Sequence, residues 1–126
     1  MAQQPDPEVV DEAALLSAMA NDWDTVCAIV RTYNRALVAY RQDLQNAVAN
    51  GDPKVVHEIA HKLKGSLANL RAPRARVLAE QLEREAKAGV ATNFSALSRV
   101  LLEEMDAVQV FFRAERFLRQ PDDPER

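Results

Sequence analysis

Between Trp23 and Ala49 the apolar side chains recur at Val26, Val30, Tyr33, Leu37, Tyr40, Leu44 and Ala47, in alternating steps of four and three residues. Side chains three and four apart share one face of an α-helix, so this spacing draws a single continuous seam along a long helix. A strand would throw the same residues onto both faces, and no other segment alternates with period two for long enough to make one. A helix with one apolar stripe needs partners that carry matching stripes. The chain has 126 residues, which is one domain's worth.

The partners are legible from their stops and starts. A first helix is expected from about Glu8 to Ala20, with Val9, Val10, Ala13, Leu16 and Met19 on one side. The stretch "NDWD" then offers a break and a cap before the long helix, Trp23 to Ala49. "NGDP" at 50–53 is a strong stop and restart: Gly51 suits a helix end, Asp52 a cap and Pro53 a first turn. A third helix is expected from Pro53 to Arg71 and a fourth from Pro73 to near Gly89. A fifth is capped by Asn93 and carries Phe94, Leu97, Leu101, Val108, Phe111 and Phe112 at helical spacing. The fold class is therefore all-α: an antiparallel four-helix bundle with an additional short N-terminal helix packed across one end. The bundle is expected over 8–119, with flexible, proline-bearing termini at 1–7 and 120–126.

Composition narrows the function. A net charge of −3 gives no global attraction to nucleic acid or an anionic membrane. No apolar run approaches the ~18 residues that span a bilayer, and the N-terminus lacks the pattern of a secretory signal. The single Cys27 rules out an internal disulfide and falls among Val26, Ile29 and Val30, where a buried thiol is expected. A reducing, cytoplasmic setting fits these features.

The third helix holds the anomaly, "AHKLKGSLANL" at residues 60–70. At about 100° per residue, Val56, Ile59, Ala60, Leu63, Leu67 and Leu70 form a core stripe opposite His61. Within about 60° of His61 lie His57, Lys64, Gly65 and Ala68, so the solvent face carries a histidine, a cation and two very small side chains. Glycine costs about 1 kcal/mol relative to alanine inside a helix. On a solvent face it has no packing use; its use is to let another backbone or a bulky group come close. A phosphoryl group fits that need. Neutral imidazole is a good nucleophile, and phosphoryl transfer asks for little beyond positioning and cations around charged oxygens. Lys64 supplies one such cation.

His61, Lys64, Gly65 and Ser66, with the alanine before and "NL" a turn later, resemble the signature of histidine-containing phosphotransfer (HPt) domains. The resemblance covers roughly residues 8–118 and implies a four-helix bundle with an exposed histidine midway along a helix. By that resemblance His61 accepts a phosphoryl group from an aspartyl phosphate on a receiver domain and passes it to another receiver aspartate. Lys64 would hold phosphoryl oxygens, and Gly65 would let the receiver's loops close. Glu83, in "EQLERE", matches the residue that accepts a hydrogen bond from the other ring nitrogen; read without the resemblance, it is a surface charge. The family usually has Gly-Ala after "NL", whereas this chain has Arg71-Ala72.

His57, Lys62, Ser66, Ala68 and Arg71 are expected to contact the partner, and Arg74 and Arg76 to extend a cluster of cations around the site. The partners implied are receiver domains of response regulators or hybrid sensor kinases, met by a monomer. No metal ligands or cofactor are expected in this chain, and the Mg²⁺ needed for transfer would sit on the receiver. With no glycine-rich nucleotide loop, the chain reads as a covalent phosphoryl carrier without ATP-using kinase activity. A rival reading, compatible with the long seam, is a non-catalytic helical adaptor or dimerisation bundle. DNA binding is a more distant third.

Overall fold

The computed structural model describes residues 6–89 and 93–118. Its elements in chain order are α1 (Glu12–Ala18), α2 (Trp23–Asn50), α3 (Pro53–Asn69), α4 (Pro73–Lys87) and α5 (Phe94–Phe111), closed by a 3-10 turn over Glu115–Phe117. There is no strand among the described residues. α2 to α5 form an antiparallel bundle in which α3 packs on α2 and α4, and α5 packs on α4 and α2. α1 lies against α2 and the α3–α4 turn.

The seam of α2 buries Val26, Val30, Leu37, Leu44 and Ala47, with Tyr33 and Tyr40 half-buried against the core. Asp22 caps its start by accepting from the Asp24 N–H at 3.1 Å. Gly51 ends it in the left-handed region at φ 63°, a conformation that glycine adopts without a Cβ penalty. Asp52 then caps α3 by accepting from the Lys54 N–H at 3.1 Å, with Pro53 in the first turn.

The limits of two helices differ from the sequence expectation, and one expected cap lacks its hydrogen bond. The first helix begins at Glu12, not Glu8, because Asp11 takes a non-helical ψ of 87° and caps the Ala14 N–H. Upstream, backbone groups bond elsewhere: Asp11 N–H donates to the Arg71 carbonyl at 2.8 Å, and Arg74 N–H to the Glu8 carbonyl at 3.1 Å. The break shifts the helical phase, so Leu15 is fully buried and Ala13 exposed. The third helix stops at Asn69 rather than Arg71, since Arg71 sits at φ 58°. Asn93 stands at the N-cap position of α5, as expected, but its side chain makes no capping hydrogen bond; its amide donates to the Glu85 carboxylate at 2.9 Å.

The α3–α4 turn is a Schellman motif. Ala72 N–H reaches the Leu67 carbonyl at 3.0 Å and Arg71 N–H the Ala68 carbonyl at 3.1 Å. Arg71 therefore occupies the left-handed position that glycine usually fills. At the far end of α5 the sequence reading gave no role to Phe117, which is buried 5.0 Å from Phe112 and 5.4 Å from Trp23, centroid to centroid. Arg116 ties this corner to α1 through Glu12, Nη2 to Oε1 at 2.6 Å, while its carbonyl accepts from Trp23 Nε1 at 2.9 Å and the Cys27 thiol at 3.3 Å. Cys27 is buried, as expected. Asp6, expected in a loose terminus, belongs to a turn in which its carboxylate accepts from the Glu8 N–H at 2.9 Å. Pro7 lies in the same turn. Residues 1–5 of that terminus and all of 120–126 lie outside the described residues.

Candidate functional site

α3 turns Val56, Ile59, Ala60, Leu63 and Leu67 into the core, which leaves the opposite face to water. His61 stands on that face with its side chain 66% exposed. α4 buries Ala75, Ala79, Leu82 and Ala86. Three of these four are alanines, and small side chains at a helix contact allow a short interaxial distance. Glu83, next to Leu82, therefore lies at the lip of the α3–α4 contact and reaches across it.

The Glu83 carboxylate holds two residues of α3 at once. Oε2 lies 2.5 Å from His61 Nδ1 and Oε1 lies 2.8 Å from Lys64 Nζ. Burial pushes the Glu83 carboxyl up, but the hydrogen bonds from Lys64 and His61, with their charges, outweigh it and leave the group below its ordinary value. An ionised carboxylate only accepts, so Nδ1 carries the proton. In the neutral ring the lone pair is then on Nε2, on the exposed side of the imidazole.

Around this nitrogen the surface is low. Apart from its chain neighbours and the backbone of its own helix turns, no atom lies within 4 Å of where a Cβ on Gly65 would stand, and its backbone has no positive φ. His57 is half-buried one turn before His61, and Ala68 is half-buried two turns after it. Ala68 lines a shallow cleft of about 210 Å³ with Asp11, Ala14, Arg71 and Arg76. Lys62 and Arg71 are exposed and make no ion pair among the described residues.

Two expectations need correction. Ser66 is only 7% exposed and does not share the surface of the other motif residues. It lies about 140° around the helix from His61, close enough to the core stripe for a small side chain to be covered. The cation cluster is also smaller than expected. Arg74 turns to Glu104 at 2.8 Å and Asp6 at 3.6 Å, and Arg76 to Glu80 at 3.3 Å. Lys62, Lys64 and Arg71 remain near the site, and Lys64 is itself bridged to Glu83.

The Lys64–Glu83 bridge was not anticipated. Part of the signal was present: a lysine three residues after the histidine shares its face, so a carboxylate that reaches the histidine lies within the lysine's reach. The backbone ties from Glu8 and Asp11 to the α3–α4 turn left no signal in side-chain pattern. Among the described residues, no group of three or more His, Cys, Asp or Glu could hold a metal ion. No helix among them is long and apolar enough to cross a membrane.

A family model for the Hpt domain matches residues 28–111, two thirds of the chain. The chain belongs to the Hpt domain family. Two crystal structures share the fold. Histidine-containing phosphotransfer protein B (HptB) from Pseudomonas aeruginosa PAO1 is 24% identical, with a TM-score of 0.78 over 85% of this chain and 93% of that one. The HPT domain of the Hpt sensor hybrid histidine kinase from Shewanella is 16% identical, with a TM-score of 0.78 over 86% and 93% of the two chains. No curated protein matches the chain. As an Hpt domain, the chain has a phosphotransfer role in phosphorelay signalling.

Proposed function

We propose that the chain is a phosphorelay intermediate in which His61 accepts a phosphoryl group from a receiver's aspartyl phosphate and returns it to the aspartate of another receiver. The observation that carries this reading is the division of labour on one ring: Nδ1 held by Glu83 at 2.5 Å, and Nε2 on a side chain 66% exposed to solvent. Nε2 attacks phosphorus, the P–O bond to the aspartate breaks, and the aspartate leaves as a carboxylate. The positive charge left on the phosphoimidazole stays beside the Glu83 carboxylate, which moderates it. Passing the group on reverses these steps on a second aspartate.

Lys64 is placed to exchange its Glu83 contact for a phosphoryl oxygen. Gly65 leaves room for the receiver's loops, while His57, Lys62, Ala68 and Arg71 border the docking face. The partners are receiver domains of response regulators or hybrid sensor kinases. Their own carboxylates would hold the Mg²⁺ that offsets charge during transfer. This carrier neither needs nor uses ATP and works as a monomer in the cytoplasm.

The test is incubation with a receiver carrying a radiolabelled aspartyl phosphate. Transfer of label to this chain, labile in acid and stable in base, supports a phosphohistidine. A chain that binds the receiver without acquiring label is an adaptor, and the proposal fails.

A further inference from the structure

A second cleft, of about 260 Å³, opens where α2 meets the end of α5 and the C-terminal 3-10 turn. Its walls include Arg31, Asn34, Arg35, Val38 and Leu118, and none of its residues comes from α3 or α4, which carry the site. On α2 the first four of these are spaced three, four and seven residues apart from Arg31, so they form one stripe over two turns. Neither arginine makes an ion pair among the described residues. Arg31 Nη1 and Asn34 Oδ1 are sealed from water with no hydrogen-bond partner. Val38 and Leu118, 59% and 61% exposed, stand at the same cleft as two of the most exposed large apolar side chains.

These features select an occupant. An orphaned guanidinium N–H calls for an acceptor and an orphaned amide oxygen calls for a donor. A bare inorganic anion meets the first need and is repelled by the second. A peptide backbone carries both groups, and Arg31 and Asn34 both line the cleft. Arg35 adds an exposed cation suited to a carboxylate, and Val38 with Leu118 suits an apolar side chain.

We propose that this cleft binds an acidic, leucine-like apolar peptide segment of a partner protein, on a surface separate from His61. The inference does not rest on the phosphotransfer reading. A segment bound here leaves His61 open, so the chain can be held by one protein while it exchanges phosphate with another.

The test is an NMR titration of the full ¹⁵N-labelled chain with a capped pentapeptide of alternating aspartate and leucine, and with its asparagine counterpart. The expected result is amide shifts at Arg31, Arg35, Val38 and Leu118, none at His61, and at least tenfold weaker binding of the neutral peptide. Arg31→Gln/Arg35→Gln should abolish the shifts, and Arg35→Gln alone, at an exposed position, should weaken them without altering the circular dichroism. Equal binding of the neutral peptide, shifts scattered over other surface cations such as Arg84 and Arg99, or retention in the double variant overturns the proposal. Two controls name other occupants and overturn it as well. If Asp122→Asn/Asp123→Asn moves the same signals without peptide, the chain's own C-terminal segment fills the cleft. If dilution moves them, a second copy does.

Discussion

Lys64 Nζ sits 2.8 Å from Glu83 Oε1, on the carboxylate that also holds His61. The cation assigned to phosphoryl oxygens is thus parked beside the nucleophile before any phosphate arrives. It leaves one charge-assisted contact to form another, and the phosphoryl group, with more negative charge than a carboxylate, is the stronger partner.

Lys64→Ala is therefore expected to slow transfer tenfold or more, as the loss of one charge-assisted contact is worth roughly 1.5–3 kcal/mol at most. Single-turnover transfer kinetics measure it, with circular dichroism unchanged because the side chain lies at the surface. Wild-type rates at both low and high salt would reduce Lys64 to a solvated charge.

His61→Gln should keep the helical fold and lose all phosphate acceptance, since its side chain is 66% exposed and packs no core. His57→Gln should retain most labelling. Loss of labelling in His57→Gln with retention in His61→Gln would mean that the wrong histidine has been assigned.

Gly65 separates fold from docking. With nothing but its chain neighbours and its own helix backbone within 4 Å of a prospective Cβ, Gly65→Ala should leave thermal stability equal or higher. The gain is bounded by the helix propensity difference of about 1 kcal/mol. Gly65→Gln should unfold no more easily than wild type and yet transfer far more slowly, because the partner cannot close on His61. Full transfer activity in that variant would show that no group needs the space.

Arg71 tests the turn. It holds φ 58°, where a Cβ is strained, at the helix-ending position that glycine most often fills. Arg71→Gly should raise stability by up to about 1 kcal/mol, the left-handed penalty less the extra freedom of glycine in the unfolded chain. Chemical denaturation measures it, and a destabilised variant would mean that the arginine side chain makes a compensating contact.

Glu83 makes stability depend on pH with a definite sign. Its folded pKa is lowered from 4.5, so its contribution is complete above that value and is lost as pH falls through the lower folded one. Glu83→Gln lacks the contribution at every pH. The stability gap between wild type and variant should be about 1 kcal/mol at neutral pH and close in acid. A gap of the same size at all pH values would assign the effect to packing.

The seam of α2, the turn at Gly51–Asp52 and the exposed face around His61 were legible because each is written in side chains within one or two turns of each other. The start of α1 was not. Val9, Val10 and Ala13 keep helical spacing through a segment whose backbone bonds instead to Arg71 and Arg74, some sixty residues away, and pattern carries no record of such bonds. The end of α3 needed the φ of Arg71, which a non-glycine residue conceals. Glu83 was legible through its family position alone. Its second partner, Lys64, followed from the geometry of two helices brought close by alanines. The pairing of Arg74 with Glu104 and of Arg76 with Glu80 decided which cations stay near the site, and nothing local in the sequence marks those choices.

His61, Lys64 and Glu83 all belong to the α3–α4 hairpin and are separated by at most 22 residues. The loop closed to assemble them is short, so the entropic cost of bringing them together is small compared with that of pairing α2 with α5. The site is therefore expected to assemble early in folding, ahead of the α2–α5 pairing. Sub-global openings that detach α1, through loss of the Asp11–Arg71 and Glu12–Arg116 contacts, leave the nucleophile and its carboxylate in register. In hydrogen exchange, amides of α1 should exchange through such openings well before those of α3 and α4.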